Sequence, residues 1–240
     1  MKDNGELESF PAGGLAVVIG ASGGIGSALL EQLRNAPGFA HVLGLSRSGT
    51  PPLDLTVEDS IAAAAHDLAG RGNALRLVID ATGFLHGDGV MPEKSWQQLN
   101  ARNMAKAFAI NAIGPALLMK HFLPLLPTRG KSVFATLSAK VGSIGDNHLG
   151  GWYSYRASKA ALNQLIRTGA VELKCRQPQA ICVTLHPGTV ESLLSAPFKR
   201  AGLDVQSPAT AADRLLSVIG TLTSAASGGF FDYRGKALPW

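Results

Sequence analysis

Charge is scarce in this sequence. Asp, Glu, Lys and Arg make up 16% of its 240 residues, 22 basic against 17 acidic for a net +5, which excludes a charged, disordered chain. Cysteine is rarer still. Cys175 and Cys182 flank a turn signal, Gln177-Pro178, without metal-type spacing, so both are expected to be buried free thiols of a protein in the reducing cytoplasm. The six histidines also lack ligand spacing, and no metal is expected. Aromatics are few and never interleave with bases, and no basic run exceeds Lys199-Arg200, which argues against a nucleic-acid partner. Long apolar runs are missing too. The longest uncharged stretch, Ser9 to Leu30, is broken by Pro11 and six glycines, and the residues before it (Lys2, Asp3, Glu6, Glu8) are net acidic, so neither a membrane span nor export is expected.

Hydrophobic residues, at 46%, are enough for one large core, and the length favours one. Short β-branched runs recur at Leu15 to Ile19, His41 to Leu45, Leu75 to Ile79, Ser132 to Leu137, Ala180 to Leu185 and Gly229 to Tyr233. Between them lie stretches with apolar residues three and four apart: Ile25 to Asn35, Val57 to Gly70, Arg102 to Leu123, Tyr153 to Lys174 and Pro208 to Leu222. This alternation predicts an α/β fold, a parallel sheet with helices on both faces. After His41 to Leu45 there is no room for a helix, and a further strand is expected around Leu53 to Leu55. No repeat or interdomain linker is visible, and residues 1–13 read as a flexible lead-in.

Glycine is the excess, 28 of 240 against about 7% in average proteins. The first strand runs into Gly20-Ala-Ser22-Gly-Gly24-Ile25-Gly26 and then a helix. Glycines in that context let the chain turn tightly and approach a pyrophosphate that the helix N-terminus attracts. The same residues spell Gly20-x-Ser22-x-Gly24, a hydrolase nucleophile elbow, so Ser22 is weighed as a nucleophile; its place after the first strand and the extra Gly26 argue against it. About twenty residues on, where a ribose-reading carboxylate would sit, stand Ser46 and Arg47. A hydroxyl and a guanidinium suit a 2′-phosphate, which favours NADP(H) over NAD(H), the other reading of Arg47 being a solvated cation. Asp54-Leu55-Thr56 offers a carboxylate to an adenine amino group, or Thr56 caps a helix.

Ser138 follows a buried strand, and Tyr155-Arg-Ala-Ser-Lys159 opens a long helix. Residues four apart share a helix face, so Lys159 stands beside Tyr155 and is expected to lower its pKa for acid-base work. Tyr153 has Ala157 at that offset and lacks this partner.

With these residues the sequence resembles the short-chain dehydrogenase/reductase family, whose glycine loop, Ser and Tyr-xxx-Lys are matched at Gly20/Gly24/Gly26, Ser138 and Tyr155/Lys159. Asn111 in Ala109-Ile-Asn-Ala-Ile-Gly114 matches the family's fourth catalytic residue, and Pro187-Gly188-Thr189-Val190 its nicotinamide-side turn. Val141 to Tyr153 and Phe230-Phe-Asp-Tyr-Arg-Gly235 are most similar to its C-factor-like branch. Three departures stand out: Asp80-Ala81-Thr82-Gly83 replaces Asn-Asn-Ala-Gly, Ile19-Gly20 replaces Thr-Gly, and the segment between Ser138 and Tyr155 is long.

The resemblance implies a single Rossmann-type domain over residues 14–240, with a doubly wound sheet of about seven strands. It also implies a carbonyl/alcohol oxidoreductase acting on a small-molecule substrate. In that reading Ser138 holds the carbonyl oxygen, Tyr155 delivers the proton, Lys159 binds the ribose and Asn111 holds a relay water. Cofactor contacts are implied from Gly20, Ser22, Gly24, Ile25, Gly26, Ser46, Arg47, Asp54, Leu55, Ala81, Thr82, Gly83, Tyr155, Lys159, Pro187, Gly188 and Val190. Glu191 to Gln206 reads as a substrate lid, with Leu193, Leu194, Pro197, Phe198 and Leu203 apolar and Lys199 and Arg200 basic. Trp152 and His148 are further candidates to face the pocket, while His86 and His186 read as loop residues. A homodimer or homotetramer is implied through the helices at Arg102 to Leu123 and Tyr153 to Lys174. The alternative is a nucleotide-binding regulator of the same fold with little turnover.

Overall fold

The computed structural model describes residues 5–192, 194–198 and 205–240. Its strands are β1 (Gly14–Ile19), β2 (Phe39–Leu45), β3 (Leu75–Asp80), β4 (Ser132–Leu137), β5 (Ala180–His186), β6 (Thr189–Val190), β7 (Val205–Gln206) and β8 (Phe230–Asp232). The helices are α1 (Gly24–Asn35), α2 (Glu58–Ala69), α3 (Ala101–Phe108), α4 (Gly114–Phe122), α5 (Tyr153–Arg176) and α6 (Pro208–Thr221).

Six strands form one sheet in the order β2-β1-β3-β4-β5-β8, every neighbouring pair parallel, while β6 and β7 make a small ribbon of their own. The continuous apolar runs are explained by burial on both faces. Leu15, Val17 and Ile19 of β1 pack into a cluster with Ile61 of α2, Leu118 of α4 and Leu162 of α5. Ala16 and Val18 point the other way, toward Leu29 of α1 and Leu215 of α6. The chain crosses sides between β1 and β3, opening a crevice at their carboxyl ends where α/β sheets bind ligands.

Helix runs on from Ala101 to Leu125 and is apolar and long enough to cross a membrane by length and composition alone. Its Ala107, Ala112, Leu118 and Phe122 are buried in this fold, as in the core helix of a globular domain. A π turn at Ala109–Ile113 separates α3 from α4.

Leu53 to Leu55 is not a strand. Leu53 donates to the Ser46 carbonyl at 3.0 Å, but the backbone around Asp54 is satisfied by side chains. Ser60 Oγ both accepts from Asp54 N and donates to Asp54 O, at 2.9 Å each, which holds the Asp54 backbone in a local turn and not in a ladder. The amino-terminal lead-in also differs from expectation from Gly5 onward. A 3₁₀ turn at Gly5–Ser9 carries Leu7 and Phe10 into the core beside α6, and Lys131 Nζ, 4.8 Å from the Phe10 ring centroid, ties Ser9 to the end of α6. Cys182 is buried as expected, whereas Cys175, on the outer side of α5, is exposed.

Candidate active site

The crevice is built from three chain segments stitched together. Gly20 N and Ala21 N both donate to Leu45 O, at 2.9 and 3.1 Å, and Ala81 N donates to Ile19 O at 2.9 Å. Gly20 has φ +81°, and a Cβ there would lie 3.0 Å from Thr82 Cγ2, so a side chain is excluded by conformation and by space. A Cβ at Gly26 would lie 2.1 Å from the Gly20 carbonyl oxygen, whereas at Gly24 its nearest neighbour would be 3.6 Å away. Gly26 therefore sets the approach of helix to strand, and Ser22, Gly23 and Gly24 lie exposed at the crevice. The first turn of α1 has no acidic residue and no side-chain cap, so its N–H groups face outward toward an anion. This cradle fits the diphosphate of a dinucleotide.

Ser46 and the exposed Arg47 follow β2 at the edge of the crevice. Hydrogen bonds from Thr56, its hydroxyl at 2.7 Å and its N–H at 2.8 Å, together with the nearby Arg47 guanidinium, hold Asp54 below the usual carboxylate range. Thr56 thus closes a turn on Asp54 instead of capping α2, whose N-cap is Val57. Leu55 is buried, and a Cβ on Gly114 of α4 would come within 2.6 Å of it, so its side chain serves the core.

One face of α5 is docked on the end of β4. Lys159 Nζ donates to Leu137 O at 2.8 Å, and Ser138 Oγ donates to Asn163 Oδ1 at 2.7 Å. Tyr155, Lys159 and Asn163 are spaced by four, the repeat that keeps side chains on one helix face. Asn163 was legible from that spacing, but only with Tyr155 and Lys159 already fixed. Burial governs the protonation of the phenol and the ammonium. It pushes the Tyr155 phenol up to about 12 and the Lys159 ammonium down to about 8. The expectation that Lys159 lowers Tyr155 is therefore not met here: the ammonium turns to the Leu137 carbonyl, and desolvation of the phenolate dominates.

Asn111 lies in the π turn with both amide ends engaged. Its Oδ1 accepts from Phe84 N at 2.7 Å, and its Nδ2 donates to Phe84 O at 2.7 Å and to Ser158 Oγ at 3.0 Å. The amide thus braces the segment after β3 against α5, leaving no side-chain N–H for the expected water. Glu93, absent from the sequence reading, is buried at the start of α5, where its carboxylate accepts from Ser154 N at 3.1 Å and from Ser154 Oγ. Trp152 precedes α5 with φ +53°. Its ring centroid lies 6.1 Å from that of Tyr155 and 4.9 Å from that of Phe198, which in turn meets His86 at 5.4 Å. Trp152 and Phe198 so line the approach to Tyr155, while His148 is exposed. Leu193, Lys199, Arg200 and Leu203 of the expected lid lie outside the described residues.

Comparison with known proteins bears directly on this geometry. The family profile described as "Enoyl-(Acyl carrier protein) reductase" matches residues 27–221. A 1-hydroxy-2-glutathionyl-2-methyl-3-butene dehydrogenase of Rhodococcus is 31% identical over 233 residues, covering 93% of this chain and 98% of the relative. The chain belongs to the short-chain dehydrogenase/reductase family. The C-signal protein of Myxococcus xanthus is 38% identical over 139 residues, 58% of this chain and 79% of the relative. Among solved structures, NADPH-bound carbonyl reductase from chicken fatty liver superposes with a TM-score of 0.83 at 25% identity, covering 99% of this chain and 98% of that one. This chain is accordingly a dinucleotide-binding oxidoreductase of the short-chain type.

Within that family frame, Asp80 does the bracing usually given to an amide. It accepts from Thr136 Oγ1 at 2.7 Å, joining β3 to β4, and from Thr82 N at 3.0 Å and Thr82 Oγ1 at 2.5 Å. The turn after β5 is equally fixed. Gly188 has φ +78°, and a Cβ there would meet Gln206 Nε2 at 2.5 Å, while that same amide donates to Pro187 O. Val190, buried, pairs with Gln206 in the β6–β7 ribbon.

His186 closes β5 and is not a loop residue. Its Nδ1 is buried without a hydrogen-bond partner, and burial pushes the imidazole down to about 4. Between the ordinary value of 6.5 and 4, the unfolded chain takes a proton that the folded one excludes, so stability falls as pH drops through that window. Urea unfolding at pH 7.5 and 4.5 should show His186→Asn losing about 2 kcal/mol less than the wild type. Equal losses would mean that His186 is protonated in the folded protein.

Proposed function

We propose that this chain is an NADP(H)-dependent reductase/dehydrogenase that interconverts a carbonyl and an alcohol on a small to medium-sized molecule, with Tyr155 as acid and base. The observation that carries this reading is the docking of Lys159 and Asn163 against Leu137 and Ser138 by two side-chain hydrogen bonds, with Tyr155 one turn earlier on the same helix face. A hydroxyl and an ammonium thus meet at the carboxyl end of β4, and the spacing of four assigns the Tyr155 phenol to the same face. The cofactor, when bound in the crevice, supplies the hydride, which no side chain can provide. Ser138 orients the carbonyl oxygen. Tyr155, whose pKa near 12 keeps it a phenol at neutral pH, gives its proton to that oxygen, and the Lys159 ammonium stabilises the phenolate left behind. Asn111 fixes the spacing between α5 and the loop after β3.

The crevice's Gly20, Ser22, Gly24, Ile25 and Gly26, with Ala81, Thr82 and Gly83 opposite, are assigned to the cofactor's adenosine and diphosphate, and Pro187, Gly188 and Val190 to its nicotinamide. Ser46 and Arg47 are assigned to a 2′-phosphate, an assignment supported by the NADPH in the chicken carbonyl reductase structure. Residues 14–240 form the dinucleotide-binding domain. Pairing of two copies through the Arg102 to Leu123 stretch and α5 is supported by Ile113, in the π turn before α4, and Val171 of α5, which lie 54% and 63% exposed. The substrate is a small molecule met in the cytoplasm.

Fluorescence titration of NADPH and NADH, followed by turnover on aldehydes, ketones and quinones, tests the reading. Binding without turnover on any carbonyl would favour the regulator instead. Arg47→Asp should weaken NADPH at least tenfold more than NADH, since a charge-assisted contact contributes about 1.5–3 kcal/mol. Equal weakening would remove Arg47 from the 2′-phosphate.

A further inference from the structure

Asp80 ends β3 opposite Thr136 of β4. Val78 and Phe134, two residues earlier on each strand, belong to the cluster that packs against α5, and strand alternation puts the Asp80 carboxylate on that same face. It has no exposed surface. Both its oxygens receive donors, Oδ2 from the Thr136 hydroxyl and Oδ1 from the Thr82 N–H and hydroxyl. Burial raises the Asp80 pKa, and these three donors, with Lys159 nearby, oppose that rise and favour the anion. The loop leaving Asp80 passes Lys159: a Cβ on Gly83 would lie 3.8 Å from Lys159 Nζ and 3.8 Å from Asn111 Oδ1. Lys159 is itself buried, 3% exposed, with the Leu137 carbonyl as its hydrogen-bond acceptor.

We propose that Asp80 is the buried counter-ion of Lys159, a positioning residue that acts through the ammonium to keep it charged without touching substrate or cofactor. The two attract across a low-dielectric interior, each favouring the other's charged form. The other titratable groups around α5 do not supply this charge. Tyr155, one turn earlier, is a neutral phenol. Lys140, beyond β4, pairs with Asp146 at 3.2 Å. His186 of β5 is neutral, and Glu93 is committed to Ser154 at the helix start.

The inference rests on the proposed function only in that turnover needs the Lys159 ammonium; the pairing is testable without turnover. Asp80→Asn keeps the shape and removes the charge. The family to which the chain is similar carries Asn at this place, so the fold accommodates it, and Asp80→Ser serves as a second uncharged variant. Thr136→Val loosens the brace but keeps the charge. In the ligand-free protein, carbon-13 lysine NMR, with the Lys159 resonance assigned by its loss in Lys159→Gln, reads the titration midpoint directly. Asp80→Asn and Asp80→Ser should move that midpoint down by about one pH unit, a tenfold change in proton affinity, while Thr136→Val leaves it in place. In turnover, the alkaline fall of kcat should move down by the same amount in the two Asp80 variants. A Lys159 midpoint unchanged in the Asp80 variants, or moved as far by Thr136→Val, would overturn the pairing. A shifted midpoint in a protein that turns over no carbonyl would uphold it while removing the reductase reading.

Discussion

Tyr155→Phe is expected to lower kcat by about 10²–10⁴-fold while leaving NADPH affinity within about threefold, the range by which a positioned proton donor accelerates a reaction. The substitution removes one hydroxyl and nothing else. The ring keeps its edge contact with Trp152, centroids 6.1 Å apart, and Lys159 keeps the Leu137 carbonyl, so neither the fold nor the crevice has reason to change. In the proposed mechanism Ser138 would still orient the carbonyl, and only the proton would be lost. The pH dependence separates the two partners. With the phenol pushed up to about 12 and the ammonium down to about 8, Tyr155 stays protonated through the working range, and the first group to lose its proton as pH rises is Lys159. Wild-type turnover should therefore fall above about pH 8. Single-turnover measurement of NADPH oxidation across pH 6–10 checks both points. A Phe variant keeping a tenth of wild-type turnover would show that the proton comes from elsewhere.

What could be read from the sequence divides along physical lines. β1 and β4 were legible because both faces are buried, so runs with few polar residues and no charge mark them. The glycine loop was legible because backbone contact at Gly20 and Gly26 excludes every side chain. The Tyr155–Lys159 face followed from helical spacing alone. The contacts that hold this face in place were not legible, because they join segments distant in sequence. Glu93 reaches Ser154 across 61 residues, and Ser138 reaches Asn163 across 25. No local pattern encodes such pairs. Leu53 to Leu55 was misread for the opposite reason: two buried leucines flanking a polar residue look like an alternating strand, but Ser60 satisfies the Asp54 backbone and the Asp54 carboxylate takes the Thr56 N–H locally. The Tyr155 pKa was misjudged because spacing reports a neighbour's charge and is silent on burial, which here outweighs it.

Among the described glycines, Gly26→Ala should be the most damaging added methyl, because the atoms it meets are main-chain. The added Cβ would lie 2.1 Å from the Gly20 oxygen, 2.8 Å from the Gly20 carbonyl carbon and 3.2 Å from Ala21 Cα, all main-chain atoms. None of these can swing aside, since Gly20 N and Ala21 N are bonded to Leu45 O, and Gly20 O itself receives Gly23 N at 3.0 Å. Relief requires α1 to back away, which loosens Leu29 and Leu33, both fully buried, and withdraws the helix N-terminus from the diphosphate. Overpacking in a mobile environment costs about 1–3 kcal/mol, and against fixed backbone we expect the upper end or more, a fall in Tm of roughly 6–12 °C for a chain of this size. NADPH affinity should fall about 100-fold with it, as the N–H groups lose register with the anion. Gly24→Ala supplies the contrast two residues away. Its Cβ would meet Pro208 Cγ at 3.6 Å, an ordinary contact, at a residue with no positive φ, so its Tm should move by no more than about 3 °C. Thermal unfolding and NADPH titration of the two variants side by side decide the matter: similar losses in both would mean that the loop tolerates or rejects methyl groups for reasons other than the Gly20–Gly26 approach.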